Sequence, residues 1–201
     1  MKKLSTYLFL ILFSFQASSL ADDIRDFQIE GISLGDSMLD YASRERIIKE
    51  KEDGFIYPNK KFYMGVFYPE VFKKKFEIYE FVQIHLKNYD DKFHIYSLQG
   101  IISYRDDIKG CLKKKKEIYT ELKDLFKISG KNFGKTKHTV DPSGQSFFYD
   151  TVFKVNEGVV VVTCYHWSKR MEEEKGWWTN LKVIIDSKEF DDWLVHDAYT
   201  N

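Results

Sequence analysis

The sequence predicts an α+β domain with a mainly antiparallel sheet. Three observations carry that reading: strand signals arrive in pairs joined by turn residues, one long amphipathic helix interrupts them, and no regular alternation of strand and helix appears. The chain has 201 residues. With 17 % aromatic residues and three prolines it is rich enough in apolar side chains to build a large core.

Residues 1–21 read as a signal peptide. Lys2 and Lys3 precede an apolar run from Leu4 to Phe15, Ser19-Leu20-Ala21 offers small residues to a signal peptidase, and Asp22-Asp23 starts the mature chain. The run is shorter than the ~20 residues a membrane span needs. Cleavage near Ala21 would leave residues 22–201 as one domain, periplasmic or secreted, with no membrane span. The full chain holds 31 basic and 31 acidic residues; loss of Lys2 and Lys3 leaves 29 against 31, a net charge of −2. Such a balance gives no reason to expect nucleic acid as a partner. Abundant Lys, Ile, Asn, Phe and Tyr follow AT-rich codon usage, so lysine content by itself is not a binding signal.

The mature chain opens with Phe27-Gln28-Ile29-Glu30-Gly31-Ile32-Ser33-Leu34-Gly35-Asp36-Ser37, a short alternating strand that bends at two glycines. Gly35 is expected to take a positive φ or a tight backbone approach. Asp36 to Lys51 reads as helical in two pieces, the second capped by Ser43 and stopped by Asp53-Gly54. Strands over Phe55–Tyr57 and Phe62–Tyr68 flank a Pro58-Asn59-Lys60 turn, and Pro69 ends the second. Residues 70–75 form a basic connector.

Alternation returns from Phe76 to Leu86 and again from Phe93 to Tyr104, across Asn88-Tyr89-Asp90-Asp91. This is an antiparallel hairpin with Gly100 as a candidate bulge. His85 falls on its polar face, within reach of His94. The long helix follows: Asp106 or Asp107 caps it, and Ile108, Cys111, Leu112, Ile118, Leu122, Leu125 and Phe126 recur at helical spacing. Lys113–Lys116 fans around that helix and reads as a solvated face with aliphatic stems over the core edge.

Residues 128–145 are irregular, with an Asp141-Pro142-Ser143-Gly144 turn. A second hairpin joins 146–155 to 159–167 across Asn156-Glu157-Gly158, and its apolar Val159–Val162 places the second strand centrally. A charged loop at 168–176 leads to a strand over Trp178–Asp186. Ser187 caps a closing helix carrying Phe190, Trp193, Leu194 and Ala198.

Chemistry is sparse. Gly35-Asp36-Ser37-Met38 resembles the first block of the GDS-type lipases and esterases, in which the serine is the nucleophile. The late Asp-x-x-His of that family has no match, since Asp192 to His196 is one residue too long, and the middle blocks have no counterpart. Ser37 with His196 is therefore the alternative reading, a serine hydrolase. His85, His94, His138, His166 and His196 share no metal-ligand spacing, and no phosphate-cradling or dinucleotide motif occurs, so no metal or cofactor is implied. Tyr165, Trp167, Trp177 and Trp178 form a candidate interaction surface: Trp167 and Trp177 would bracket the charged loop as an aromatic platform, against the plainer reading that they close the core. Cys111 and Cys164 form an even count, read as one disulfide in an exported protein, the helix crossing the central strand.

Three segments carry a wider likeness: Phe27-x-Ile29-Glu30-Gly31-Ile32-Ser33-Leu34-Gly35-Asp36-Ser37, Val162-Thr163-Cys164-Tyr165-His166-Trp167-Ser168, and Lys188-Glu189-Phe190-x-x-Trp193-Leu194. Together they resemble a set of small, Lys-rich exported proteins of marine alphaproteobacteria with no established activity, so the likeness carries over no functional residues. The opening Phe-x-Ile-x-Gly-Ile-x-Leu-Gly is also similar to the start of small periplasmic scaffold domains of the outer-membrane assembly type. These readings lead to a non-enzymatic binding or interaction domain of the cell envelope, its partner an envelope protein or small ligand.

Overall fold

The computed structural model describes residues 23–72, 75–126 and 130–200. The leader reading over 1–21 and Lys73-Lys74 of the basic connector lie outside them, as do the side chains of Leu125 and Phe126. In chain order the elements are β1 (Gln28–Ile29), β2 (Ile32–Ser33), α1 (Arg44–Glu52), β3 (Phe55–Ile56), β4 (Phe62–Phe67), β5 (Phe81–Lys87), β6 (Ile95–Arg105) and α2 (Ile108–Phe126). After these come β7 (Lys131–Asn132), β8 (Thr136–Lys137), β9 (Phe147–Val155), β10 (Gly158–His166), α3 (Lys169–Lys175), β11 (Thr179–Ser187) and α4 (Lys188–His196). Nine strands make one sheet in the order β3-β4-β5-β6-β11-β10-β9-β7, with β8 also on β9, and every named pairing is antiparallel. The α+β class read from the sequence is the observed one.

The opening stretch is a hairpin of its own. Glu30 and Gly31 sit at φ 54° and 67° between the Ile29↔Ile32 pair, the positive-φ pair that a tight two-residue turn needs. Phe27, Ile29 and Ile32 are buried in the main core. Gly35 takes φ +84°, and a Cβ there would meet nothing within 4 Å, so the turn needs glycine for its dihedral and not for space. Ser37 caps a single 3-10 turn, Met38–Asp40, and Ser43 caps α1 through Arg46 N.

On one face of the sheet α2 crosses β10, β11 and β6. Asp107 caps it by accepting from Gly110 N at 2.8 Å. Cys111 on its buried side is bonded to Cys164 of β10, with Cα atoms 6.0 Å apart, which bears out the disulfide. Val160, Val162, Leu181, Val183 and Ile185 point to this face and join Cys111, Ile118 and Leu122 in the core. The opposite face is covered at one end by α4, whose Phe190 and Trp193 pack on Phe62 and Tyr57.

Several expectations are corrected. Residues 76–80 are not strand: the Glu30 carboxylate accepts from the N–H groups of Glu77, Ile78 and Tyr79 at 2.8–3.0 Å, which takes donors a sheet would need. Gly100 is no bulge. Its missing side chain admits the Tyr79 ring, 2.5 Å from where a Cβ would stand, and the register shifts instead between His85 and Leu86. His85 does not face His94; it pairs in register with Ser97 and is buried beneath α4. Residues 169–175 form helix α3, because Ser168 caps it through Met171 N and Gly176 ends it in the left-handed conformation. Within the lysine run Lys115 is buried and donates to Thr151 Oγ1, so one of the four turns inward.

A candidate ligand site on the sheet face opposite the long helix

Side chains alternate along a strand, so the residues between those facing α2 are determined by register. On β11 they are Asn180, Lys182, Ile184 and Asp186. Three rows cross the sheet. Lys182 stands between Ile101 and Thr163, which pairs with Asp150. Ile184 stands between Gln99 and Val161, extended by Gln83 on β5 and Val152 on β9. Asp186 stands between Ser97 and Val159, extended by His85. Lys182, Gln83, Gln99, Ile184, Val161, Val152 and Asp150 are all half-buried. This half-buried middle of the face, termed the trough below, is bordered by α4 at one end and by an aromatic group at the other.

The Lys182 ammonium donates to Gln83 Oε1 at 2.8 Å and to Gln99 Oε1 at 3.5 Å, and stands 5.3 Å from the Tyr165 ring centroid. Both oxygen partners are neutral. Burial, uncompensated by a carboxylate, holds its pKa down to about 8. At the α4 end, His85 links Tyr57 Oη through Nε2 and Ser97 Oγ through Nδ1, each at 3.0 Å. Burial, with Lys182 adding to it, drives His85 down to about 3, so the ring is neutral at ordinary pH. Asp186 is pushed up to about 7, chiefly by burial.

Buried polar side-chain atoms of Asp150, Thr163, Asn180 and Asp186 gather on this face, where Thr163 neighbours both Asp150 and Tyr165, and Asp186 neighbours Ser97.

The aromatic wall contains three of the four residues singled out from the sequence. Tyr165 and Trp167 are stacked at 5.8 Å with rings 5° from parallel, and Trp177 meets Trp167 at 4.7 Å. Trp167 is buried while Trp177 is 38 % exposed. His138 packs on both Trp167 and Tyr165, at 4.6 and 5.8 Å. Trp178 is elsewhere, its ring 4.3 Å below the Arg105 guanidinium. The platform and the polar row meet at Tyr165, a junction the sequence reading did not contain. Polar residues at three of four alternate positions (Asn180, Lys182 and Asp186, with Ile184 between) of a strand next to an apolar central one were the available signal.

Ser37 and His196 are not joined by any hydrogen bond among the described residues: His196 is exposed at the end of α4. Ser37 Oγ donates to Lys92 O at 2.6 Å and accepts from Leu39 N at 3.2 Å. The histidine across from Ser37 is His94, its partner in an isolated antiparallel bridge. Asp90 Oδ2 holds His94 Nδ1 at 2.8 Å. His94 and Gly35 also line a groove of about 630 Å³ with Tyr96, Lys188 and Glu189.

The chain matches no known protein family, no curated protein and no solved structure.

Proposed function

We propose that this chain is a non-enzymatic binding module of an exported compartment and that it holds a small ligand in the trough around Lys182. The observation that carries the reading is the Lys182 ammonium, held on a half-open face with only the neutral oxygens of Gln83 and Gln99 as acceptors. A folded chain tolerates the cost of burying that charge where a ligand recovers it. Export is supported by the leader-like first 21 residues and by the Cys111–Cys164 bridge, a bond that persists in oxidising compartments. The test is tryptophan fluorescence titration of the mature chain with small polar and amphipathic compounds, Trp167 on Tyr165 and Trp193 on Tyr57 being the reporters at its two borders. Val161→Trp, which fills the trough from its floor, should abolish the response while thermal unfolding stays cooperative. Compounds that bind the filled variant equally well would place the site elsewhere.

One arrangement favours a second reading. Ser37 is paired with His94 in an isolated bridge, Asp90 Oδ2 holds His94 Nδ1, and His94 lines the 630 Å³ groove, although the Ser37 hydroxyl donates to Lys92 O. A hydrolase on this triplet would take up a fluorophosphonate at Ser37, with labelling lost in both Ser37→Ala and His94→Ala. An unlabelled native protein removes this reading.

A further inference from the structure

We infer that the trough takes a small amphipathic monocarboxylate, its carboxylate on the Lys182 ammonium between Gln83 and Gln99 and its apolar body along Ile184, Val161 and Val152. The inference rests on the binding reading above and specifies its ligand.

The middle row is divided into two chemistries. Gln83 and Gln99 occupy β5 and β6, while Ile184, Val161 and Val152 continue in register over β11, β10 and β9. At about 4.8 Å per strand the apolar half runs about 10 Å. Lys182 lies one pleat away on β11 and leans toward the glutamines, as its bonds to both show. A ligand laid across the strands therefore meets the cation at one end and three apolar side chains over the rest. Tyr165 borders the row on the side of the wall, and Tyr57 with Asp186 and Ser97 on the side of α4.

Charge selects the head group. A half-buried ammonium with only carboxamide oxygens around it gains most from one anion placed directly on it. Asp150 stands two strands away, about 10 Å, so the field opposes a second negative charge. A singly charged carboxylate fits this balance and a phosphate dianion does not. The body of the ligand lies on Ile184, Val161 and Val152, which favours a hydrocarbon over a sugar along that strip.

The decisive comparison needs no variant. Calorimetric titration of the mature chain with octanoate and phenylacetate, set against octanamide and phenylacetamide, varies only the charge of the head group. The acids should bind at least tenfold more tightly than their amides. Lys182→Met should bring acid and amide to the same affinity, and Ile184→Thr should weaken both acids and amides together. Equal affinity of acids and amides for the native chain overturns the carboxylate assignment while leaving a trough ligand in place. Tighter binding of phenylalanine than of phenylacetate overturns it in favour of a zwitterion whose ammonium reaches Asp150. Failure of every one of these compounds to bind native protein overturns this inference, while the binding reading stands or falls on the fluorescence titration.

Discussion

Replacement of Lys182 by Met should stabilise the ligand-free protein, an unusual direction for a change in a sheet interior. Burial lowers the Lys182 pKa from 10.5 to about 8. At ~1.36 kcal/mol per unit that is about 3 kcal/mol of bias against the charged form below pH 8. Methionine has nearly the same length and no charge, so this bias disappears. The bonds to Gln83 and Gln99 disappear too, and the half-open setting screens part of the cost, leaving a net gain of about 1–2 kcal/mol. Urea unfolding at pH 7 should show it as a rise of roughly 0.5–1 M in midpoint at a slope of ~2 kcal/mol/M. The sign is checked by pH. A folded-state pKa below the unfolded one contributes stability that is present above about 10.5 and lost as pH falls through about 8. Relative to Lys182→Met, the native protein should therefore gain stability between pH 8 and 10.5. His85, His138, Tyr57, Tyr165, Tyr199, Asp150 and Asp186 face the same space; the Lys182 charge lowers both histidines, which are neutral above pH 8 with or without it, so the difference between pH 8 and 10.5 reports Lys182. A variant less stable by 1 kcal/mol or more at pH 7, or a difference flat in pH, would refute the claim that Lys182 is held at a cost.

Asp186 gives the opposite sense: its folded pKa of about 7 exceeds the ordinary 3.8, so its contribution is present below about 4 and lost as pH rises through 7. Asp186→Asn should remove that decline, read as a flatter stability curve between pH 4 and 8, and carbon-detected NMR should titrate the native carboxyl near 7. Removing the disulfide with Cys111→Ala and Cys164→Ala opens a loop with a sequence separation of 53 and should cost about 4 kcal/mol in the chain-entropy account. Intact mass after alkylation should show no added groups until a reductant is present. Gly35→Val should cost about 1–2 kcal/mol or more from its positive φ, since no neighbour would collide with the new Cβ. Gly100→Ala should cost a similar amount, about 1–3 kcal/mol, for a different reason: the Tyr79 ring has to leave. Equilibrium unfolding of both glycine variants decides between these accounts.

Helices with strong periodicity and caps were legible in the sequence. The α2 repeat with Asp107, the Ser187 cap of α4 and the apolar Val159–Val162 run each depend on neighbours within a few residues, and each stands where the pattern placed it. The same is true of the disulfide, for which helix face and strand centrality sufficed. What failed depended on partners far away in the chain. Nothing near Glu77 announces that Glu30 takes its backbone donors, and nothing near Gly100 announces the Tyr79 ring. His85 reads as a surface residue until α4, about a hundred residues later, covers it. The trough was hidden for the same reason: Gln83, Gln99, Lys182 and Asp150 lie on four strands, and only register aligns them. Of the aromatic group, Tyr165, Trp167 and Trp177 cluster as the spacing suggested, while Trp178 turns to Arg105.

The outermost strands have a consequence for life at high concentration. A wide antiparallel sheet ends in rows of free donors and acceptors that invite another chain to add itself. Here one margin is β3, only two residues long, and the other is shared in succession by β7, on Val152 and Thr151, and β8, on Phe148 and Phe147. Neither margin offers an uninterrupted run of main chain for a neighbouring molecule to copy. The two short strands act as guards of β9, whose nine residues would otherwise form a long template. Deleting residues 131–137 should leave the interior intact and turn the protein into one that associates through β9, with size-exclusion profiles that shift with concentration.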